Sequence, residues 1–305
     1  MNPVPMTRRE WLKLGAAATA VAGLGACASA QAALPPVCLF SKHLQFMDYP
    51  RLAEAVKAIG ADGVDLTVRP GGHVLPENLG ADLPRAVEAI RGAGLALPMI
   101  STRIASPGDA EAAPTFEAAA AQAIPFIRVG GHKYARSGNP LDELPRIQQD
   151  CAGLAALAET HGVTLGYHNH SGDLNFGAPL WDLLRVIEAV GSPRLGSNFD
   201  VGHCTAEGPF GDLDLTTRAL APQVKMLAVK DFVFEGRRPR WVPLGEGVVP
   251  LADFFRRFRE AGFTGPISIH FEYEAYEEAS EEGKLEQMTK AVRLVRREMR
   301  KAGWE

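Results

Sequence analysis

Four cysteines in 305 residues, at positions 27, 38, 151 and 204, are too few and too scattered for a disulfide framework. No apolar run approaches the roughly 18 to 20 residues of a transmembrane helix. No Gly-x-Gly-x-x-Gly fingerprint follows a candidate strand, which argues against a dinucleotide-binding open sheet. Positive charge is in deficit, with 32 Lys and Arg against 36 Asp and Glu and a net charge of −4. That balance argues against nucleic acid or an anionic membrane surface as partner. No linker rich in Pro, Gly or Ser divides the chain, so one domain is expected.

Residues 1–33 read as a separate export segment. Thr7-Arg8-Arg9-Glu10-Trp11-Leu12 carries paired arginines, an Ala- and Gly-rich apolar run follows from Leu14 to Ala26, and Ala28-Ser29-Ala30 offers a small-residue release site. The arginine pair points to the twin-arginine route, which carries folded proteins. Leu24-Gly25-Ala26-Cys27 also resembles a lipobox, in which Cys27 would carry a lipid anchor. Either way a periplasmic or exported protein is expected. Removal of the segment takes away Arg8, Arg9, Lys13 and Glu10, a net +2, and moves the mature chain from −4 to −6.

The remainder, 34–305, repeats one unit. Apolar, β-rich runs occur at 37–41, 63–68, 95–101, 126–130, 163–168, 195–200, 224–230 and 266–271. Helical stripes lie between them: Leu52, Val56 and Ile59 after a capping Asp48 and before Gly60; Leu83, Val87 and Ile90 before Gly94; Ile147, Cys151 and Leu154 before Gly162. Further stripes end at Gly191 and Gly262, and a last helix runs from Leu285 to Met299. Eight β-then-α units in about 270 residues predict an α/β fold, a single-domain (β/α)8 TIM barrel.

In such a barrel the working site lies at the C-terminal ends of the strands. Polar residues gather there: Lys42-His43, Arg69 and His73, His132-Lys133-Tyr134, His168-Asn169-His170, Asp200 with His203, Lys230-Asp231, and His270-Phe271-Glu272. Of the eight histidines all but His161 fall just past a predicted strand end, a concentration that points to function. Residues two apart on a strand share a face, so His168 and His170 can enter one pocket, as can His270 and Glu272. Imidazoles suit a divalent transition metal and Asp200 adds an oxygen donor. Candidate metal ligands are therefore His168, Asp200 and His270. Asp200 and His203 lie one turn apart if the chain coils after the sixth strand. Candidate substrate contacts are Lys42, His43, Arg69, His73, His132, Lys133, Tyr134 and His203.

The segments FSKHLQ (40–45), DLTVRPGGHVLPE (65–77), YHNHSG (167–172), VKDF (229–232), PLGEG (243–247) and HFEYE (270–274) resemble the xylose isomerase-like barrels of sugar phosphate isomerases and epimerases, in an exported subgroup with twin-arginine signals. The resemblance implies a Mn2+ or similar ion held by Glu, Asp, His and Glu after strands five to eight. Asp200 matches unchanged. The other three positions are His168, Ala228 with Lys230 two residues on, and His270 with Glu272 two residues on. What is implied is a rebuilt site for Mn, Zn or a similar ion, or no metal at all.

Such sites remove a proton beside a carbonyl while a cation stabilises the enediolate oxygen. Glu272 and His170 are the candidate bases and Lys230 the candidate oxyanion partner. No Gly-rich anion cradle follows the last two strands, and an exported protein meets few phosphorylated sugars. A neutral sugar, glycoside or keto-sugar is therefore expected, with isomerisation, epimerisation or elimination and hydration as outcomes. The alternatives are a non-catalytic exported sugar-binding protein and a metal-dependent nuclease on the same barrel. The latter would need a basic face, which a mature charge of −6 disfavours.

Overall fold

Each of the eight apolar runs forms a barrel strand. In this computed structural model, which describes residues 34–172, 174–208 and 212–304, the strands are β1 (Val37–Phe40), β2 (Gly63–Thr67), β3 (Ala96–Ser101), β4 (Phe126–Val129), β5 (Thr164–His168), β6 (Leu195–Asp200), β7 (Val224–Val229) and, after a hairpin of β8 (Asp231–Glu235) and β9 (Arg238–Val242), β10 (Ile267–Ile269). The export segment assigned to 1–33, with Arg8, Arg9 and Cys27, lies outside the described residues. The strands close in the order β1-β10-β7-β6-β5-β4-β3-β2, all pairs parallel. Strands covered on both faces read as apolar runs, which is why they stood out in the sequence.

The helices behave as their periodicity predicts. α1 (Tyr49–Ile59) starts where Asp48 Oδ1 accepts from Arg51 N at 3.0 Å, and it stops at Gly60, whose φ of 85° suits a residue without a side chain. α2 (Leu79–Gly92), α3 (Ala112–Ala121), α4 (Leu144–His161) and α5 (Trp181–Val190) follow β2 to β5. α6 (Val201–Glu207) and α7 (Asp212–Leu220) follow β6, α8 (Leu251–Glu260) precedes β10, and α9 (Glu274–Glu277) and α10 (Glu281–Lys301) end the chain. α8 buries Phe254, Phe255 and Phe258, and Phe258 meets Phe199 of β6 at a centroid distance of 5.2 Å. Each such ring contributes about 1.5–3 kcal/mol by leaving water. Cys38, Cys151 and Cys204 are buried and free. No described helix is long and apolar enough to cross a membrane.

The barrel interior is polar in its middle layer. Asp65 is fully buried and accepts from Ser101 Oγ and Ser268 Oγ, both at 2.7 Å. Gly166 of β5 leaves room in that interior, because a Cβ there would collide with Met226 and Asn198. The β8–β9 hairpin was not expected. Its base is tied down by Asp231, whose carboxylate accepts from the backbone N–H groups of Gly245, Gly247 and Val249 at 2.9–3.0 Å. Asp231 thus organises the loop that contains Glu246 instead of pairing with Lys230.

Candidate active site

A cavity of about 410 Å3 opens at the C-terminal ends of the strands. Phe40, Lys42, Arg69, His168, His170, His270 and Glu272 line it, together with Thr102, Arg103, Arg128 and the backbone at 129–131. Glu272 sits between two ammonium groups, with Lys42 Nζ 2.8 Å from Oε1 and Lys230 Nζ 2.8 Å from Oε2. Burial pushes the Glu272 carboxyl up, but the ammonium groups of Lys230 and Lys42 more than offset this and hold it well below the usual carboxylate range. It is therefore ionised, with each oxygen already bonded to an ammonium group.

Lys230 lies behind Glu272, only 3% exposed, and does not line the cavity. Besides Glu272 its Nζ lies 2.7 Å from His203 Nε2 and 3.3 Å from Asp200 Oδ2, and it packs 4.3 Å from the centre of the Trp241 ring. An ammonium has three donors and no acceptor, so His203 Nε2 accepts and its Nδ1–H donates to Ser171 Oγ at 2.7 Å. The Asp-x-x-His spacing is a helix cap, in which Asp200 Oδ1 accepts from His203 N at 2.9 Å. Lys42, with Glu272 as its described partner, is 39% exposed at its side chain and is the cation that reaches the cavity.

The histidines of the rim are neutral. Burial, reinforced by Arg128 and Lys230, pushes His170 down to about 3. Burial likewise holds His168, His203 and His270 well below the usual imidazole value. His168 and His170 meet edge to face at 4.5 Å, and His270 stacks on Phe40 at 4.4 Å.

A metal was tested against these contacts. Buried polar atoms ordinarily have partners, yet His168 Nδ1, Asp200 Oδ2 and His270 Nε2 are buried without a hydrogen bond. His168, His170 and His203 also offer ligand atoms within 4.8 Å of one another. Imidazole nitrogens with one carboxylate oxygen suit a divalent transition ion, so the donor set fits. Since Lys230 already engages His203 and lies beside Asp200, an ion drawing on those two would displace its ammonium.

Other predicted contacts lie apart from the cavity. His43 Nε2 accepts from Phe271 N at 3.0 Å inside an aromatic cluster. His73 closes the turn after β2 through Leu44 O at 3.2 Å. His132 is held by Tyr167 OH at 3.0 Å and Asp150 Oδ2 at 3.1 Å, and Tyr134 OH donates to Asp182 at 2.8 Å. Lys133 is exposed and bridges to Asn175. None of these five lines the cavity, whereas Lys42 and Arg69 do. Phe40, Thr102, Arg103 and Arg128 were missed. Arg128 had a signal, since in FIRVG it shares the inward parity of the strand end.

The neutral rings predict an acid-sensitive fold. His43 and His170 are pushed from 6.5 to about 3, His43 by burial above all. Below 6.5 the unfolded chain binds protons on these rings and the folded chain does not, so stability is full above that value and falls as pH drops toward 3. Each ring costs about 1.4 kcal/mol per pH unit well inside that window. Asp65 and Asp200, pushed up by burial, act in the opposite sense at the acid end. Urea midpoints should fall steadily from pH 7 to pH 5; a flat profile would show that the rings are not held neutral.

The chain is 24% identical over 120 residues, or 38% of its length, to an uncharacterised protein of Methanocaldococcus jannaschii, of which it spans 39%. A solved L-ribulose 3-epimerase superposes with a TM-score of 0.69 at 16% identity, covering 88% of this chain and 96% of that one. A 3-keto-D-glucoside 4-epimerase from E. coli gives 0.68 at 13% identity over 86% and 99%. A xylose isomerase-like TIM barrel protein from Mycobacterium smegmatis in complex with magnesium gives 0.65 at 18% identity over 88% and 97%. At these identities the likeness shows the fold. Residues 53–297 match the family profile described as xylose isomerase-like TIM barrel, and with the closed eight-stranded barrel this makes the chain a member of that family.

Proposed function

We propose that the protein removes a proton beside the carbonyl of a sugar or keto-sugar, as an isomerase or epimerase does, with elimination of a β-hydroxyl as a third outcome of the same first step. The observation that carries this reading is the pairing, across one cavity, of the His170 imidazole, which has no described hydrogen-bond partner, with the Lys42 ammonium, which Glu272 steadies. His170 takes the proton from carbon, and the electron pair moves onto the carbonyl oxygen. Lys42, with donors beyond the one given to Glu272, hydrogen-bonds that oxygen as it becomes an oxyanion. As the oxyanion forms, its negative charge opposes the field of Arg128 and Lys230 and so stabilises the imidazolium that His170 becomes. Return of the proton to the neighbouring carbon, with the hydroxyl proton there passing to the former carbonyl oxygen, isomerises; delivery of a proton from solvent to the opposite face of the same carbon, while His170 keeps the one it took, epimerises.

A divalent ion held by His168, Asp200 and His270 would supply a Lewis acid at the same oxygen. In this reading residues 1–33 deliver the barrel to the periplasm, where its substrate is met. Incubation with hexoses and keto-hexoses in D2O tests the proposal by mass spectrometry or NMR. Deuterium should enter the carbon beside the carbonyl even where net turnover is slow. Absence of exchange in every sugar that binds would favour the sugar-binding protein.

A further inference from the structure

Three guanidinium groups line the same cavity as Glu272: Arg69 after β2, Arg103 after β3 and Arg128 at the end of β4. Among the described residues none of the three has a carboxylate within ion-pair distance or an acceptor for its side chain; Arg103 is exposed to solvent and Arg69 is half-buried. Arg128 is only 8% exposed. An unpaired buried cation is costly, and such a charge is ordinarily paired or bound to something. The carboxylate deeper in the barrel, Asp65, has both oxygens bonded to Ser101 and Ser268. The other carboxylates whose charge reaches these arginines, Glu272 and Asp200, are likewise engaged, Glu272 by Lys42 and Lys230 and Asp200 by His203 N and Lys230.

The wall is built and held. The Cζ atoms of Arg69 and Arg128 lie 5.4 Å and 5.7 Å from the centre of the Phe40 ring, which also stacks on His270. Phe40 therefore joins the arginines to the imidazole end of the cavity. Thr102 ties the end of β3 to β4 through Arg128 O, by Oγ1 at 2.7 Å and by its N–H at 3.2 Å. Arg69 is fixed in a tight turn by Arg69 N to Val74 O at 3.0 Å and Gly72 N to Arg69 O at 2.8 Å. Burial, then Arg128 and Arg103, push Arg69 down to about 10, and Asp65 and Glu272 only partly oppose them.

We propose that Arg69, Arg103 and Arg128 form an anion subsite, and that the substrate is an acidic sugar whose carboxylate or phosphate they hold while the carbon beside its carbonyl faces His170. This rests on the proton-transfer reading above and replaces the expectation of a neutral sugar. That expectation came from the lack of a backbone cradle after the last two strands and from the scarcity of phosphorylated sugars outside the cytoplasm; here side chains that follow or end the second, third and fourth strands do the work. Guanidinium forks match planar and tetrahedral oxyanions by paired hydrogen bonds.

The test compares a neutral hexose, the matching hexuronate and the hexose 6-phosphate on the full barrel, by calorimetry and by deuterium exchange. An acidic form should bind at least about tenfold more tightly than the neutral one, the scale of one charge-assisted hydrogen bond. The ratio should shrink as salt is raised. Preference for the uronate assigns a carboxylate and preference for the phosphate assigns a phosphate ester; either supports the subsite. Arg69→Gln and Arg103→Gln should each bring the acid-over-neutral ratio toward one, and both are exposed enough to be replaced without emptying the core, unlike Arg128. A neutral hexose that binds and exchanges as well as both acids would overturn the subsite and leave proton transfer standing. An acid that binds through the arginines without exchange would keep the subsite and refute proton transfer.

Discussion

His170→Ala should lose most deuterium exchange, by about two to four orders of magnitude, the usual contribution of a positioned general base. Three features single this ring out. It lines the cavity, it is neutral in the folded protein, and no described group hydrogen-bonds to it. Glu272 has neither oxygen free of an ammonium partner and is held far below the normal carboxylate range. The fold should survive the substitution, because a partly exposed ring without hydrogen bonds is being removed. Added imidazole should restore part of the rate, which a merely structural role would not allow. Exchange that persists in His170→Ala but disappears in Glu272→Gln would transfer the base role to Glu272.

Lys230→Met should have the largest effect on stability. The ammonium is 3% exposed and lies against Asp200, which is fully buried, and Glu272. Removing one partner of a buried ion pair leaves the other uncompensated and costs about 3–5 kcal/mol. For a domain of this size that is a fall of about 5–9 °C in Tm. Pairing Lys230→Met with Asp200→Asn should recover part of the loss, since the two residues interact directly and their effects are not additive. A single mutant that melts within about 2 °C of the parent would show that the pair contributes little, as exposed pairs do. The same substitution also removes the donor that fixes the His203 tautomer, so Ser171 and the segment after β5 should lose order with it.

The positions of the barrel strands were legible in the chain because strands buried on both faces are continuous apolar runs, and the helices between them because their buried stripes repeat every three or four residues. Asp48, Gly60, Gly162 and Gly191 mark helix ends through local chemistry alone. The parity of β5 aimed His168 at the pocket wall, while His170, His270 and Glu272, which lie just past the ends of β5 and β10, line the same cavity. Parity is a property of the strand and needs no knowledge of neighbours. What lies past a strand end obeys no such rule. His43, His73 and His132 occupy the same kind of position as His170, yet their loops turn them into backbone, aromatic and carboxylate contacts. The β8–β9 hairpin alternates polar and apolar residues over short stretches and reads as loop until Asp231 anchors it. Depth in the barrel was likewise invisible. Lys42 and Lys230 are both lysines beside strand ends, but only packing against Trp241, His203 and Asp200 buries Lys230 and leaves Lys42 facing the cavity. The arginine wall is assembled from three different strand ends, and its shared charge exists only once the barrel has closed, because electrostatic crowding depends on distances through space that no spacing along the chain records.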